Sequence, residues 1–197
     1  MRADARKNYD HLLTVAREVF TDQGAHASLR DIARKAGVGL GTLYRHFPTR
    51  EALFEALLRV SFDALTARAE VLETSSSADD ALVLWLRETV AVSHSHRGVI
   101  ASMVASIEDP DSALHASCVT MRAKGARLLA RAQAQGVARG DIDGADLFAL
   151  VGALAWFNDQ PSLAPRVDHL FNVIANAILL NGKCSNALVN DTHKQAE

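Results

Sequence analysis

Arg45, with Thr42 one helical turn before it and Tyr44 and His46 at its sides, has the side-chain chemistry to address a nucleic acid. A guanidinium can bridge N7 and O6 of guanine, and the carbon groups of Thr42 or Leu40 can meet a thymine methyl. Gly39 and Gly41 let backbone approach backbone, while Tyr44, His46 and Arg50 suit phosphate oxygens beside the groove. Ser28 and Arg30 complete the expected DNA-facing set. Other chemistries are poorly served. His94 and His96 form a His-x-His pair, yet side chains two apart on a helix diverge by about 200°, so both cannot hold one ion there. No Ser/His/Asp set, lysine nucleophile or carboxylate pair has a spacing that marks an active site, so no catalytic residue, metal or cofactor is expected. The Gly37-x-Gly39-x-Gly41 run follows no strand, and its third glycine is misplaced for a nucleotide loop.

The elements that hold these residues follow from caps and spacing. Ser28 and Asp31 have the spacing of a capping box, Ile32, Ala33 and Ala36 form an apolar stripe, and Gly37 stands where a helix should stop. A second helix starts near Leu40. Its Leu43 and Phe47, four apart, share the face that must pack back on Ile32 and Ala36. Pro48 ends it and Thr49 can cap the next. Before them, Leu12, Leu13, Ala16, Val19 and Phe20 recur at helical spacing over residues 5–23, and Gly24 closes that run. Three helices around one small core, with the third turned outward, is the geometry of a DNA-reading helix-turn-helix.

The string 38–47, Val-Gly-Leu-Gly-Thr-Leu-Tyr-Arg-His-Phe, followed by Arg50-Glu51-Ala52-Leu53, resembles the recognition helix and following helix of the TetR family of transcriptional regulators. The likeness covers about the first quarter of the chain; beyond it, lengths and helical spacing agree. One departure is Gly39, where the family often carries serine, so a capping hydroxyl is missing. The resemblance implies a dimeric repressor, released from its operator by a small-molecule inducer. An alternative is a helical enzyme or carrier in which the first domain is vestigial.

Bulk properties agree with a polyanion partner at one end. The formal charge of the 197 residues is -2, but residues 1–60 hold ten Lys and Arg against seven Asp and Glu, a balance of +3 that leaves -5 for the remainder. Cys118 and Cys184 are far apart and form no CxxC pattern, which points to a reducing compartment. The first residues lack the apolar stretch of an export signal, and the run 147–157 is short of the ~20 residues a membrane helix needs. A cytoplasmic protein with no membrane contact is expected.

The rest of the chain reads as an all-α architecture of about nine helices. Residues 1–48 form the expected DNA-binding domain and 49–182 a ligand-binding and dimerisation domain, with 49–73 as a long connecting helix. Residues 183–197 are polar and aperiodic, and are expected to be a disordered tail. Further amphipathic helices are expected over 79–96, 98–108 and 112–135, then 144–157 and 166–181. Trp85, Thr89, Met103, Met121, Trp156 and Gln160 are candidates to line an effector pocket, although large apolar groups at this spacing serve a packed core equally well. The last two helices are apolar around much of their circumference. Leu147, Val151, Leu154, Phe171, Ile174 and Ile178 are therefore expected at a two-fold interface, as a four-helix bundle built by two subunits. The expected partners are double-stranded DNA, a small-molecule effector and a second copy of the chain.

Overall fold

The computed structural model describes residues 2–75, 77–157, 160 and 162–180. Ten α-helices follow one another among them: α1 Arg2–Gln23, α2 Leu29–Lys35, α3 Leu40–His46, α4 Arg50–Glu73, α5 Ala78–Ser95, α6 Arg97–Ser102, α7 Val104–Glu108, α8 Ala113–Ala134, α9 Gly144–Phe157 and α10 Val167–Ile178. A single 3-10 turn, Ala164–Arg166, precedes α10. The span 98–108, expected as one helix, is two, broken at Met103, whose backbone leaves helical geometry at φ -113° and ψ 11°. Val99 of the first piece is buried and Ile107 of the second packs partly against the core, whereas Val104, just past the break, is 44 % exposed although helical spacing places it on the apolar side. The expected tail 183–197, with Cys184, and the last residue of the helix expected over 166–181 lie outside the described residues.

Caps and glycines explain most boundaries. Thr49 Oγ1 accepts from the Ala52 N–H at 3.0 Å, opening α4. Ser77 Oγ accepts from Asp80 N–H at 3.2 Å, and Asp143 Oδ1 from Ala145 and Asp146 at 2.7 and 3.1 Å. Gly24, Gly37 and Gly136 take φ of +81°, +68° and +70°, the left-handed turn that ends α1, α2 and α8. The capping box at Ser28 does not form. Ser28 has the extended backbone of an N-cap, but its hydroxyl makes no cap bond, and Asp31 pairs instead with Arg34 at 2.8 Å. A carboxylate one turn from a guanidinium has a charged partner, which outcompetes a neutral backbone N–H.

One continuous apolar core runs through the chain. Leu12, Ala16, Val19 and Phe20 of α1 close on Ile32 of α2 and on Leu43 and Phe47, all nearly or fully buried. Phe20 also meets Phe54 of α4 edge-on, with ring centroids 5.1 Å apart. The 24-residue α4, about 36 Å long at helical rise, continues from that three-helix unit into the second half. There α8 lies along it, tied by Lys124–Glu70 at 2.8 Å, Arg127–Glu73 at 3.0 Å and Arg131 on the Leu72 and Ser75 carbonyls. Arg68 of α4 clasps Glu88 of α5 at 3.0 and 3.2 Å. The end of α10 is held by Arg139 N–H to Ile178 O and Leu180 N–H to Val137 O, both 2.9 Å, an antiparallel bridge that no strand pattern announces.

Of the residues expected at a two-fold interface, Leu147, Val151, Leu154, Phe171 and Ile178 are at most 4 % exposed within the single chain, and Ile174 is half-buried. They are subunit core. The correction has a simple cause: α5 and α8 both pack on α9, and Arg87 of α5 reaches α10, so one subunit supplies the neighbours thought to be missing. The open faces lie opposite. On α9 they carry Ala149, Gly152 and Trp156, and beyond and along α10 they carry Val173, Ala177 and Leu180.

Candidate nucleic-acid interface

Recognition geometry begins with what lies behind α3. Leu43 is fully buried and Phe47 2 % exposed, and Tyr9 of α1 tilts over the Phe47 ring at 4.9 Å. Anchored on that side, the seven-residue helix leaves its other side open: Gly41, Tyr44 and Arg45 are exposed, as is Gly39 at its N-cap, and Leu40 and Thr42 are half-buried. Among the described residues, those that border the groove beside α3 all come from the span 28–50. Tyr44 presents its ring at 44 % exposure beside Arg45. His46 is drawn toward α1, its ring 5.9 Å from that of Tyr9 in an edge-on contact, so it borders the reading face rather than standing clear of it.

A groove of about 660 Å³ runs between the start of α2, α3 and the start of α4, bounded by Ser28, Arg30, Leu40, Tyr44, Thr49 and Arg50. Five of the ten residues expected to face DNA are thus gathered in one concave strip. With its hydroxyl not engaged in capping, Ser28 faces that strip. Arg34 and Lys35 of α2 are occupied by Asp31 and by Glu18, the latter at 3.1 Å. Arg50 has a second engagement: its Nη1 donates to the Ala25 and Ala27 carbonyls, each at 2.8 Å. That link spans 23 to 25 residues and has no local signature. At Gly39 the first turn of α3 is held by backbone alone, with Thr42 and Leu43 N–H on the Gly39 carbonyl at 2.9 and 3.2 Å. A Cβ there would meet only Thr42 Oγ1, at 4.0 Å, so a serine fits without displacement.

The effector candidates do not converge on one cavity. Trp85 is fully buried, donates from Nε1 to Leu65 O at 2.9 Å and meets Phe148 edge-on. Its ring fills the notch left by Gly125, where a Cβ would fall 2.2 Å from Cη2. Thr89 Oγ1 bonds the Trp85 carbonyl, and Met103 and Met121 are buried core. Trp156, by contrast, is 55 % exposed, and Gln160 sits in the turn before the 3-10 segment. A cleft of about 630 Å³ lies elsewhere, between residues 20–26 and the α5–α6 junction around His94, His96 and Gly98. Among the described residues no group of three His, Cys, Asp or Glu is placed to hold a metal, and no helix is long and apolar enough to cross a membrane.

Known proteins match both halves. The family described as bacterial regulatory proteins, tetR family, matches residues 12–57, and the transcriptional regulator SbtR-like C-terminal domain matches residues 77–178. The crystal structure of a TetR transcriptional regulator, SCO0520 from Streptomyces coelicolor, is 30% identical, covers 87% of this chain and 98% of its own, and superposes with a TM-score of 0.70. A TetR transcription regulatory protein from Mycobacterium vanbaalenii is 28% identical over 91% of this chain and 99% of its own, with a TM-score of 0.67. The transcriptional repressor KstR2 of Mycolicibacterium smegmatis is 37% identical over 94 residues, and the regulator UidR of Escherichia coli 35% over 69. The chain spans 46% and 35% of the length of these two curated relatives. The relatives are regulators, not enzymes.

Proposed function

The chain belongs to the TetR family of transcriptional regulators, and from that premise we propose that it is a ligand-responsive repressor acting as a homodimer on a near-palindromic operator in the cytoplasm. The observation that carries this reading is the state of α3: Leu43 and Phe47 are sealed in the core while Gly41, Tyr44 and Arg45 are open to solvent. A helix anchored so from behind can enter a major groove, with Arg45 and Thr42 on base edges. The groove from Ser28 and Arg30 to Tyr44 suits the phosphate backbone alongside. Residues 1–48 thus form the reading unit and 49–182 the regulatory and dimerisation unit. KstR2, a relative named as a repressor, supports the sign of regulation.

Two copies must hold their recognition helices about 34 to 36 Å apart, one turn of duplex. The open faces of α9 and α10, with Gly152, Trp156, Val173 and Leu180, form an apolar surface suited to a four-helix contact with a second copy. An effector that favours a different spacing of the two α4 arms must, by linkage, bind the DNA-free state more tightly, and release follows from that difference. Selection of bound fragments from a random duplex pool tests the reading. It should return two inverted half-sites at one-turn spacing; recovery of fragments with no shared sequence, or of a lone half-site, overturns it.

A further inference from the structure

Two contacts converge on the turn between α1 and α2. On one side, Arg50 in the first turn of α4 donates from Nη1 to the carbonyls of Ala25 and Ala27, both at 2.8 Å. Its guanidinium carbon lies 5.9 Å from the Phe54 ring centre, and Phe54 in turn meets Phe20 at the end of α1. On the other side stands Gly98, in the first turn of α6. A Cβ added there would come 3.2 Å from Ala25 Cβ and 3.5 Å from its nitrogen, so the two segments approach to within one methyl group and a side chain at 98 fits only if Ala25 gives way. Both Ala25 and Gly98 border the cleft of about 630 Å³ that separates this turn from the α5–α6 junction. The regulatory helices therefore bear on the turn through a small contact beside open space.

We propose that Arg50 is a positioning residue for DNA reading rather than a phosphate contact, and that the Gly98–Ala25 contact is where the regulatory half sets the reading half. This rests on the DNA-reading function above. The physical step is short. A guanidinium that spends both Nη1 hydrogens on two carbonyls of one turn fixes that turn to α4 through charge-assisted bonds. The turn leads directly into α2, whose Ile32 packs in the same core as Leu43 of α3. Any displacement of α6 pushes Ala25, and Arg50 converts that push into a movement of α2 and α3 against α4. Glycine at position 98 lets the contact close without holding the halves apart.

Salt dependence separates the two roles of Arg50. Operator affinity of the full chain is measured, on the selected duplex and across a salt series, for Arg50→Gln, Gly98→Val and the double variant. Arg50→Met, which keeps the stem over Phe54, and Gly98→Ala, whose methyl needs only slight give at Ala25, replace any variant whose melting shows that it has not folded. A positioning role predicts that Arg50→Gln loses about tenfold in affinity with the slope of log K against log salt unchanged. Gly98→Val, which removes no charge, should lose affinity several-fold. The double variant should lose less than the product of the two, because the turn is already detached. A slope reduced by about 0.9, the loss of one neutralised phosphate, or losses that multiply, overturns the proposal. A wild-type chain with no salt-dependent binding to any duplex instead overturns the DNA-reading function, and this inference with it.

Discussion

Arg45 and His96 show how one side chain's surroundings decide what it can do. Arg45 is exposed at the end of a helix held from behind, so its whole donor fork is available to a guanine edge. Arg45→Ala should cost about 1 to 3 kcal/mol and relax preference at one base pair, which binding to singly substituted operators reads directly; an equal loss on every sequence would assign Arg45 to phosphate. His96 is the opposite case, 5 % exposed where α5 meets α6. Its Nδ1 lies 3.0 Å from the Val92 carbonyl and 2.9 Å from Ser95 Oγ, and its Nε2 3.4 Å from Ser61 Oγ on α4. A carbonyl only accepts, so Nδ1 carries the hydrogen of the neutral ring. Burial holds the imidazole below its ordinary 6.5; the Val92 carbonyl opposes this and Arg17 adds to it. Because the unfolded chain takes up the proton first, stability is complete above pH 6.5 and falls as pH drops from there toward the lower folded value. Chemical denaturation at pH 7.5 and 5.5 should show a loss for the wild type that is smaller in His96→Gln; equal losses would mean that position 96 does not titrate over this range.

Helices meet where small residues let them, and α8 depends on one such place. Gly125 faces the Trp85 ring so closely that a methyl would stand 2.2 Å from Cη2 and 2.4 Å from Cζ3, and the indole is pinned by its bond to Leu65 O. Gly125→Ala would ordinarily favour a helix by about 1 kcal/mol. Here overpacking should outweigh that gain, for a net loss of about 1 to 3 kcal/mol seen as a lowered melting temperature; an unchanged or raised temperature would mean that α5 and α8 separate freely. The same contact explains what the amino-acid sequence discloses and what it conceals. Leu43 and Phe47 behind, and Arg45 in front, are legible because a four-residue spacing fixes one helix's faces whatever surrounds it. Thr49 as a cap is equally local. Trp85 as core rather than cavity wall depends on a glycine forty residues away, and Arg50 on carbonyls 23 to 25 residues back. Spacing names the apolar side of α9 and α10 but not the helix that covers it, which is why Leu154 and Ile178 read as interface and prove to be interior.

At the scale of the whole molecule, α4 makes the regulatory helices and the reading helix parts of one body, because its first turn holds Arg50 against the α1–α2 turn and its last turns are bound to α8. In the dimer proposed above, the placement of one subunit against the other would become a distance between recognition helices. The two kinds of position on α9 and α10 separate folding from assembly. A charge at Leu154 or Ile178, each 3 % exposed, would be driven into the subunit core and should unfold it. Gly152 is exposed, and a Cβ there meets nothing within 4 Å, so Gly152→Glu leaves the isolated subunit undisturbed. On a shared apolar face the same carboxylate would face its own two-fold copy, with neither water nor a cation to compensate it. Gly152→Glu should therefore keep its helical circular dichroism and sediment as a monomer. Its operator affinity should fall on the order of 10²-fold or more as the two half-sites cease to be held together. A Gly152→Glu chain that still sediments as a dimer and binds operator as tightly as the wild type excludes this face of α9 from the two-fold contact.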